Sequence, residues 1–485
     1  MNMFGELVEK REDALATHGV AKKAMVIGLD CAEPSLVERW REELPTLSGL
    51  MERGVHGRLT SVMPPHTVPA WWCMMSSRTP GDLGVYGFRN RADYSYDAAF
   101  LANGTSVKEA MLWDLVGRAG GESIVLGVPG TYPPRPLRGV LVTCFMTPSA
   151  ESRYTYPPGL RDEVEAVVGE YLFDCTNFRT EQKDDLLRQV YAMTDRRFAL
   201  AEHLLETRPW QLFAMVEMGH DRMQHGFWKH MDPEHRKHVP GSRFEDAIRD
   251  YYRHVDGLLA RLLRFADADT VVFVLSDHGA KRLEGGVRLN EWLRREGLLA
   301  TLEEPRAACR LQDVGVDWSK TVAWTDGGYY ARIFLNVQGR EPQGIVAQED
   351  YEAVREDLAR RIEAIPDEAG GPLATRVYKP EELYPEVNGI APDLIVVFGD
   401  LLWRCVATVG GEEGLHTFEN DTGPDDANHA QDGVFVVSGA GVEARGTVDR
   451  HLLDVTPTVL DLLGIEIPAQ MRGASMTPLL AGARS

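Results

Sequence analysis

The chain has 485 residues, 44% of them hydrophobic, enough to fill a sizeable core and too many for a disordered or low-complexity protein. Lys and Arg total 52 against 73 Asp and Glu, a net charge of −21 that repels nucleic acid and anionic membrane surfaces. An anionic substrate would need local positive charge, from bound divalent metals or a few basic side chains.

Residues 1–20 read as an N-terminal arm without the apolar core of a signal peptide, and no later run approaches the roughly 20 apolar residues that span a bilayer. The expected location is cytoplasmic. Six scattered cysteines without a CxxC pattern suit reduced thiols, so any metal is expected to be held by Asp and His.

From there, 21–485 reads as a single domain. AMVIGLD (24–30) predicts a strand ending on Asp30, followed by a helix over 35–53. In MPPHTVPAWWCMMSS, Pro64 and Pro65 hold an extended approach and Pro69 suits a first helical turn. Thr67 therefore lies close to a helix N-terminus, where free N–H groups favour an oxyanion; on these residues alone a helix cap explains it as well. Next come a helix over 106–119, strands over 123–129 and 139–145, helices over 158–169 and 181–207, and a strand over 211–217. MGHDRMQHGFW then spaces Asp221 and His225 four apart, on one face of a helix and close enough to share an ion.

A helix over 244–266 precedes VFVLSDHGAK, in which a buried strand ends on Asp277 and His278, two metal-ligand residue types. Residues 282–345 interrupt the alternation as an insertion, before a helix over 348–364 and a strand over 393–399. The acidic, Gly-rich stretch 409–428 reads as a second, mobile insertion. His429 stands ahead of a strand over 433–439, and a helix covers 453–463. Alternating strands and helices predict an α/β fold, a mainly parallel sheet with helices on both faces, whose ligands bind at the carboxyl ends of strands, where Asp30 and Asp277 fall.

Each of these pieces alone has a plain structural explanation. In this order, an Asp at a strand end, a Thr at a helix start, DxxxH, DH at a strand end and a late His resemble the alkaline phosphatase superfamily. The closer likeness is to its type I phosphodiesterase/nucleotide pyrophosphatase branch, carried also by TVPAWWCMMSSRTPGDLGVYGF and DVTPTVLDLLGIEIPAQMRG. The resemblance implies an alkaline-phosphatase-like sandwich with inserted cap segments and two divalent metals, zinc as in most of the family or manganese. It implies that Asp30, Asp277, His278 and Thr67 hold one ion and that Asp221, His225 and His429 hold the other.

It further implies a phosphodiesterase or nucleotide pyrophosphatase acting on a small phosphate ester through a phosphothreonine on Thr67. The chain departs from the family at Leu83, Gly84 and Phe88, where relatives carry His-Gly and a phosphate-binding Asn, and at Ala430, where many carry Arg. Asn90, Arg89, Lys281 or Arg282 could replace the missing phosphate contact. Phe88 and Trp72, among several aromatics that include Trp71 and Tyr329, could face the second organic group of a diester. A phosphomonoesterase, a phosphoglycerate-mutase-like phosphotransferase and a non-catalytic binding protein are the alternatives.

Overall fold

A computed structural model describes residues 19–411 and 414–482. The arm expected over 1–20 falls, except for Gly19 and Val20, outside the described residues. Seven strands build the middle of the central sheet: β1 (Lys23–Leu29), β2 (Val55–Thr60), β3 (Ser123–Leu126), β4 (Gly139–Val142), β5 (Leu212–Glu217), β6 (Thr270–Leu275) and β7 (Asp432–Gly439). Their order is β2-β7-β6-β1-β5-β3-β4, with two-residue strands extending both edges. The run β6-β1-β5-β3-β4 is parallel, whereas β7 is antiparallel to both β6 and β2. β5 and β6 are buried along their whole length, as strands covered on both faces should be.

Two groups of helices cover the sheet. Pro45–Arg53, Lys183–Thr207, Gly219–Met231 and Ala247–Leu262 pack on one another, while Thr67–Ser76, Leu112–Arg118 and Val455–Leu462 form the second group. The helix expected over 35–53 is two helices, Pro34–Arg39 and Pro45–Arg53, because Pro45 cannot continue a helix and begins the next one. Among the described residues no helix is long and apolar enough to cross a membrane.

Between β6 and β7 the chain builds a second layer with its own core, including Leu289, Trp292, Ile333, Leu358, Ile362 and Leu394. Its sheet runs Ala323–Asp326, Ala331–Leu335, Leu394–Val397, Arg376–Tyr378, antiparallel throughout. The strand expected over 393–399 exists but belongs here rather than to the central sheet. Its four residues are buried on both faces, which in sequence is indistinguishable from a parallel core strand. The layers meet at an antiparallel ribbon, Gly279–Arg282 with Ala427–Ala430, which sets His429 opposite Ala280.

Candidate active site

Register brings the site together. β1 pairs with β5 through Leu29 and Glu217, and with β6 through Gly28 and Leu275, so the residues after all three strands emerge at one edge. Asp30 leaves β1 there, Asp277 and His278 leave β6, and the helix α2 (Gly219–Met231) starts behind β5 with Asp221 in its first turn. Asp221 and His225 do share one helical face, with Oδ1 and Nε2 3.3 Å apart.

Thr67 is the first residue of the helix α1 (Thr67–Ser76), but its N-cap is His66 and no side chain caps that end. A capping role for Thr67 is therefore excluded. Its hydroxyl lies 3.3 Å from His278 Nε2. One turn along α1, Trp71 donates its indole N–H to Asp30 Oδ2 at 2.6 Å. Gly28 makes this approach feasible, since a Cβ there would stand 2.2 Å from the Trp71 ring.

Each of the three histidines has its Nδ1 fixed on an oxygen acceptor. His278 Nδ1 donates to the Gly279 carbonyl at 3.0 Å and His429 Nδ1 to the Pro65 carbonyl at 2.9 Å, which turns both Nε2 lone pairs inward. His225 Nδ1 donates to Asp425 Oδ1 at 2.6 Å, the carboxylate–histidine pairing that orients metal-ligating imidazoles. His278 and His429 stack with ring centroids 3.8 Å apart.

All these side chains are buried, and three of their atoms, Asp30 Oδ1, Asp277 Oδ2 and His225 Nε2, have no hydrogen-bond partner. Orphaned buried acceptors at one spot are costly unless a cation satisfies them. Two donor groups made of Asp and His alone fit that requirement, Asp30 with Asp277 and His278, and Asp221 with His278 and His429, each within 4.8 Å. Asp221 links His225 to this second set.

Charge points the same way. Burial pushes the Asp30 carboxyl well up and Asp221 adds repulsion; Asp277 is raised by burial and then by Asp30. A divalent ion would reverse both. For Asp221, burial is outweighed by His225 and Arg222, which hold it well below the usual range. Burial drives His429 down to about 3 and lowers His278 likewise, whereas at His225 burial is overcome by Asp425 and Asp221, raising it to about 9.

Asp425 is the residue that sequence patterns did not single out. Besides His225, it accepts from Arg179 Nε at 2.9 Å and from the Tyr329 hydroxyl at 3.0 Å, while Tyr329 stacks on the His225 ring at 5.1 Å. Arg222, next to Asp221 and paired to it, grips both oxygens of Asp174 at 2.7 Å.

The expected substrate contacts fall in different places. Phe88 lies edge-on, at 4.5 Å, to the ring of His66, the residue before Thr67. Asn90 is buried with its carbonyl bound to Tyr86 N and its amide to the Gly87 carbonyl, so both ends serve a turn. Lys281 reaches Asp400, through the backbone carbonyl at 2.8 Å and the carboxylate at 3.0 Å. Arg282 pairs with Glu234 and Glu284. Trp72 points away from Asp30 and packs on Gly130, where a Cβ would meet its indole nitrogen at 2.0 Å.

A model of the type I phosphodiesterase / nucleotide pyrophosphatase family matches residues 24–425. Among solved structures, human ectonucleotide pyrophosphatase/phosphodiesterase 5 is similar with a TM-score of 0.55 and 15% identity, over 94% of this chain and 99% of that one. The murine protein gives 0.55 and 14%, over 96% and 100%. An inactive threonine-to-alanine variant of the murine protein, in complex with AMP, gives 0.52 and 14% over 92% and 96%. At such identities these neighbours attest the fold, and no curated protein matches. The family match spans most of the chain, and the cluster of Asp and His at the strand ends is consistent with a metal-dependent family. The chain belongs to the type I phosphodiesterase/nucleotide pyrophosphatase family of hydrolases.

Proposed function

We propose that the protein is a two-metal phosphodiesterase, with nucleotide pyrophosphatase chemistry, that works through a phosphothreonine on Thr67. The observation that carries this reading is the convergence of orphaned, buried donors, Asp30 Oδ1 and Asp277 Oδ2, around the residue that contacts the Thr67 hydroxyl, His278. Asp30, Asp277, His278 and Thr67 would hold one ion, and Asp221, His225 and His429 the other, zinc being the expected ion and manganese the alternative. When bound, the two ions supply Lewis acidity that eases loss of the Thr67 proton and offsets charge on the phosphoryl oxygens and leaving oxygen.

The chain's own groups do the rest. Thr67, held at the start of α1, presents its oxygen to phosphorus. The uncapped first turn offers backbone N–H groups to a phosphoryl oxygen. Asp425 keeps His225 in the tautomer that directs Nε2 at the site. Phe88, Tyr329 and Phe178 make the wall beside His66, His429 and His225 aromatic, which suits the second organic group of a diester better than a free monoester. The inactive threonine-to-alanine variant of the murine relative, in complex with AMP, supports both a nucleotide substrate and a threonine nucleophile.

Thr67→Ala tests the reading on one sample. Full metal content with almost no turnover of a chromogenic diester, and no trapped phosphoenzyme, is expected. Full metal with near-normal turnover would rule out the covalent route.

A further inference from the structure

Asp and His are not the only donors at the second metal position. Cys31 Sγ, a carboxylate oxygen of Asp221 and a ring nitrogen of His225 all lie within 4.8 Å of one another, and all three residues are buried. Cys31 is the cysteine that joins such a donor group among the described residues.

Its position is built rather than incidental. Cys31 follows Asp30 with φ 65, a left-handed backbone that a side chain seldom adopts and that tends to persist where function requires it. The backbone is pinned on both sides: its N–H donates to Asp277 Oδ1 at 3.3 Å, and its carbonyl accepts from Gln224 Nε2, next to His225 on α2, at 2.6 Å. The sulfur itself has only a thiol contact of 3.4 Å to the Gly279 carbonyl. In the same donor group, His225 Nε2 is buried without a partner while Nδ1 is fixed on Asp425.

We propose that Cys31 supplies a sulfur donor to the second metal position, so that this ion is held by thiolate, carboxylate and imidazole. On coordination the thiol proton passes to solvent and a sulfur lone pair forms the bond; nothing is oxidised or reduced. A thiolate donor prefers zinc or cobalt to the hard ions manganese and magnesium, so Cys31 decides a choice that oxygen and nitrogen ligands leave open. This inference rests on the metal-centre reading of the same site.

The test uses the full chain, freed of metal and titrated with cobalt(II) alone, followed by absorption. The wild type should develop a sulfur-to-cobalt charge-transfer band in the near ultraviolet beside the visible cobalt bands. Cys31→Ser should keep the visible bands and lose the charge-transfer band, as should Cys31→Gly, whose backbone suits φ 65 and guards against a folding defect. In both variants zinc affinity at this position should fall about 10-fold or more, the scale of losses already seen for outer partners of a metal, with manganese affected less. Cobalt bands without the charge-transfer feature in the wild type, or an identical feature in both variants, would overturn the sulfur donor alone. Failure of the wild type to bind cobalt at all would overturn the metal centre and the sulfur donor together.

Discussion

The central sheet and the smaller antiparallel layer serve one site in different ways. The central sheet delivers the groups that would touch the ions, from strand ends and helix starts whose backbone is locked by parallel register: Asp30, Asp221, Asp277 and His278. The segment between β6 and β7 delivers one such group, His429 on the ribbon, and otherwise groups that act through others: Tyr329 beside its own sheet, and Asp425 just ahead of that ribbon. A rigid scaffold sets the position of ligands, and a layer with a separate core sets their orientation and the walls around them. If that division is real, substitutions in the two regions should differ in kind.

The largest effect is expected for Asp277→Ala, which removes a ligand from the scaffold and should abolish bound metal and turnover together. Elemental analysis of the purified variant checks it; full metal content would break the division at its first point. Asp425→Asn comes next. The amide cannot take the imidazole proton's charge, so affinity for the second ion should fall about 10- to 100-fold, with the fold intact. Equilibrium metal titration reads this, and an unchanged affinity would reduce Asp425 to a packing residue.

Much of the scaffold could be seen in the sequence because its signals are local. A buried apolar run that stops on Asp, or Asp and His one helical turn apart, needs no knowledge of distant residues. Asp425 lacked such a signal: it lies in the acidic stretch 409–428, which reads as a mobile loop, and its partner His225 is contributed by α2, far away in the chain. The neighbours Trp71 and Trp72 show the same limit at smaller scale. A step of one residue turns the side chain about 100° around a helix, so Trp71 reaches Asp30 while Trp72 packs on Gly130.

A third prediction tests whether the smaller layer has its own electrostatic support. Glu291 is buried and accepts from Arg294, Arg295 and the Gly410 N–H. Burial alone would raise its carboxyl, but these partners hold it down at about 2. A carboxyl depressed in the folded state stabilises the protein above its unfolded value, about 4.3, and that contribution is lost as pH falls from there towards 2. Urea unfolding at neutral pH and near pH 3 should show a smaller acid-induced loss in Glu291→Gln than in the wild type. Equal losses would mean that the layer's stability does not depend on this cluster.

The smallest effect is expected at Tyr329, where the two regions touch. Its hydroxyl donates to Asp425 Oδ2 at 3.0 Å and accepts from Arg179 Nη2 at 2.6 Å, while its ring lies on His225. Tyr329→Phe keeps the ring and removes only the hydroxyl. Asp425 retains Arg179 Nε and His225, so its orientation should survive the loss of the hydroxyl's two hydrogen bonds, each worth about 1 kcal/mol, and kcat/KM should fall roughly fivefold or somewhat more. Bound metal should stay complete. Tyr329→Ala, which also strips the stacked ring from His225, should cost more and weaken the second ion measurably. The informative comparison is with Asp425→Asn. If Tyr329→Phe proves as damaging to turnover as that change while metal stays bound, the hydroxyl acts on substrate directly, and the smaller layer supplies catalytic contacts as well as orientation.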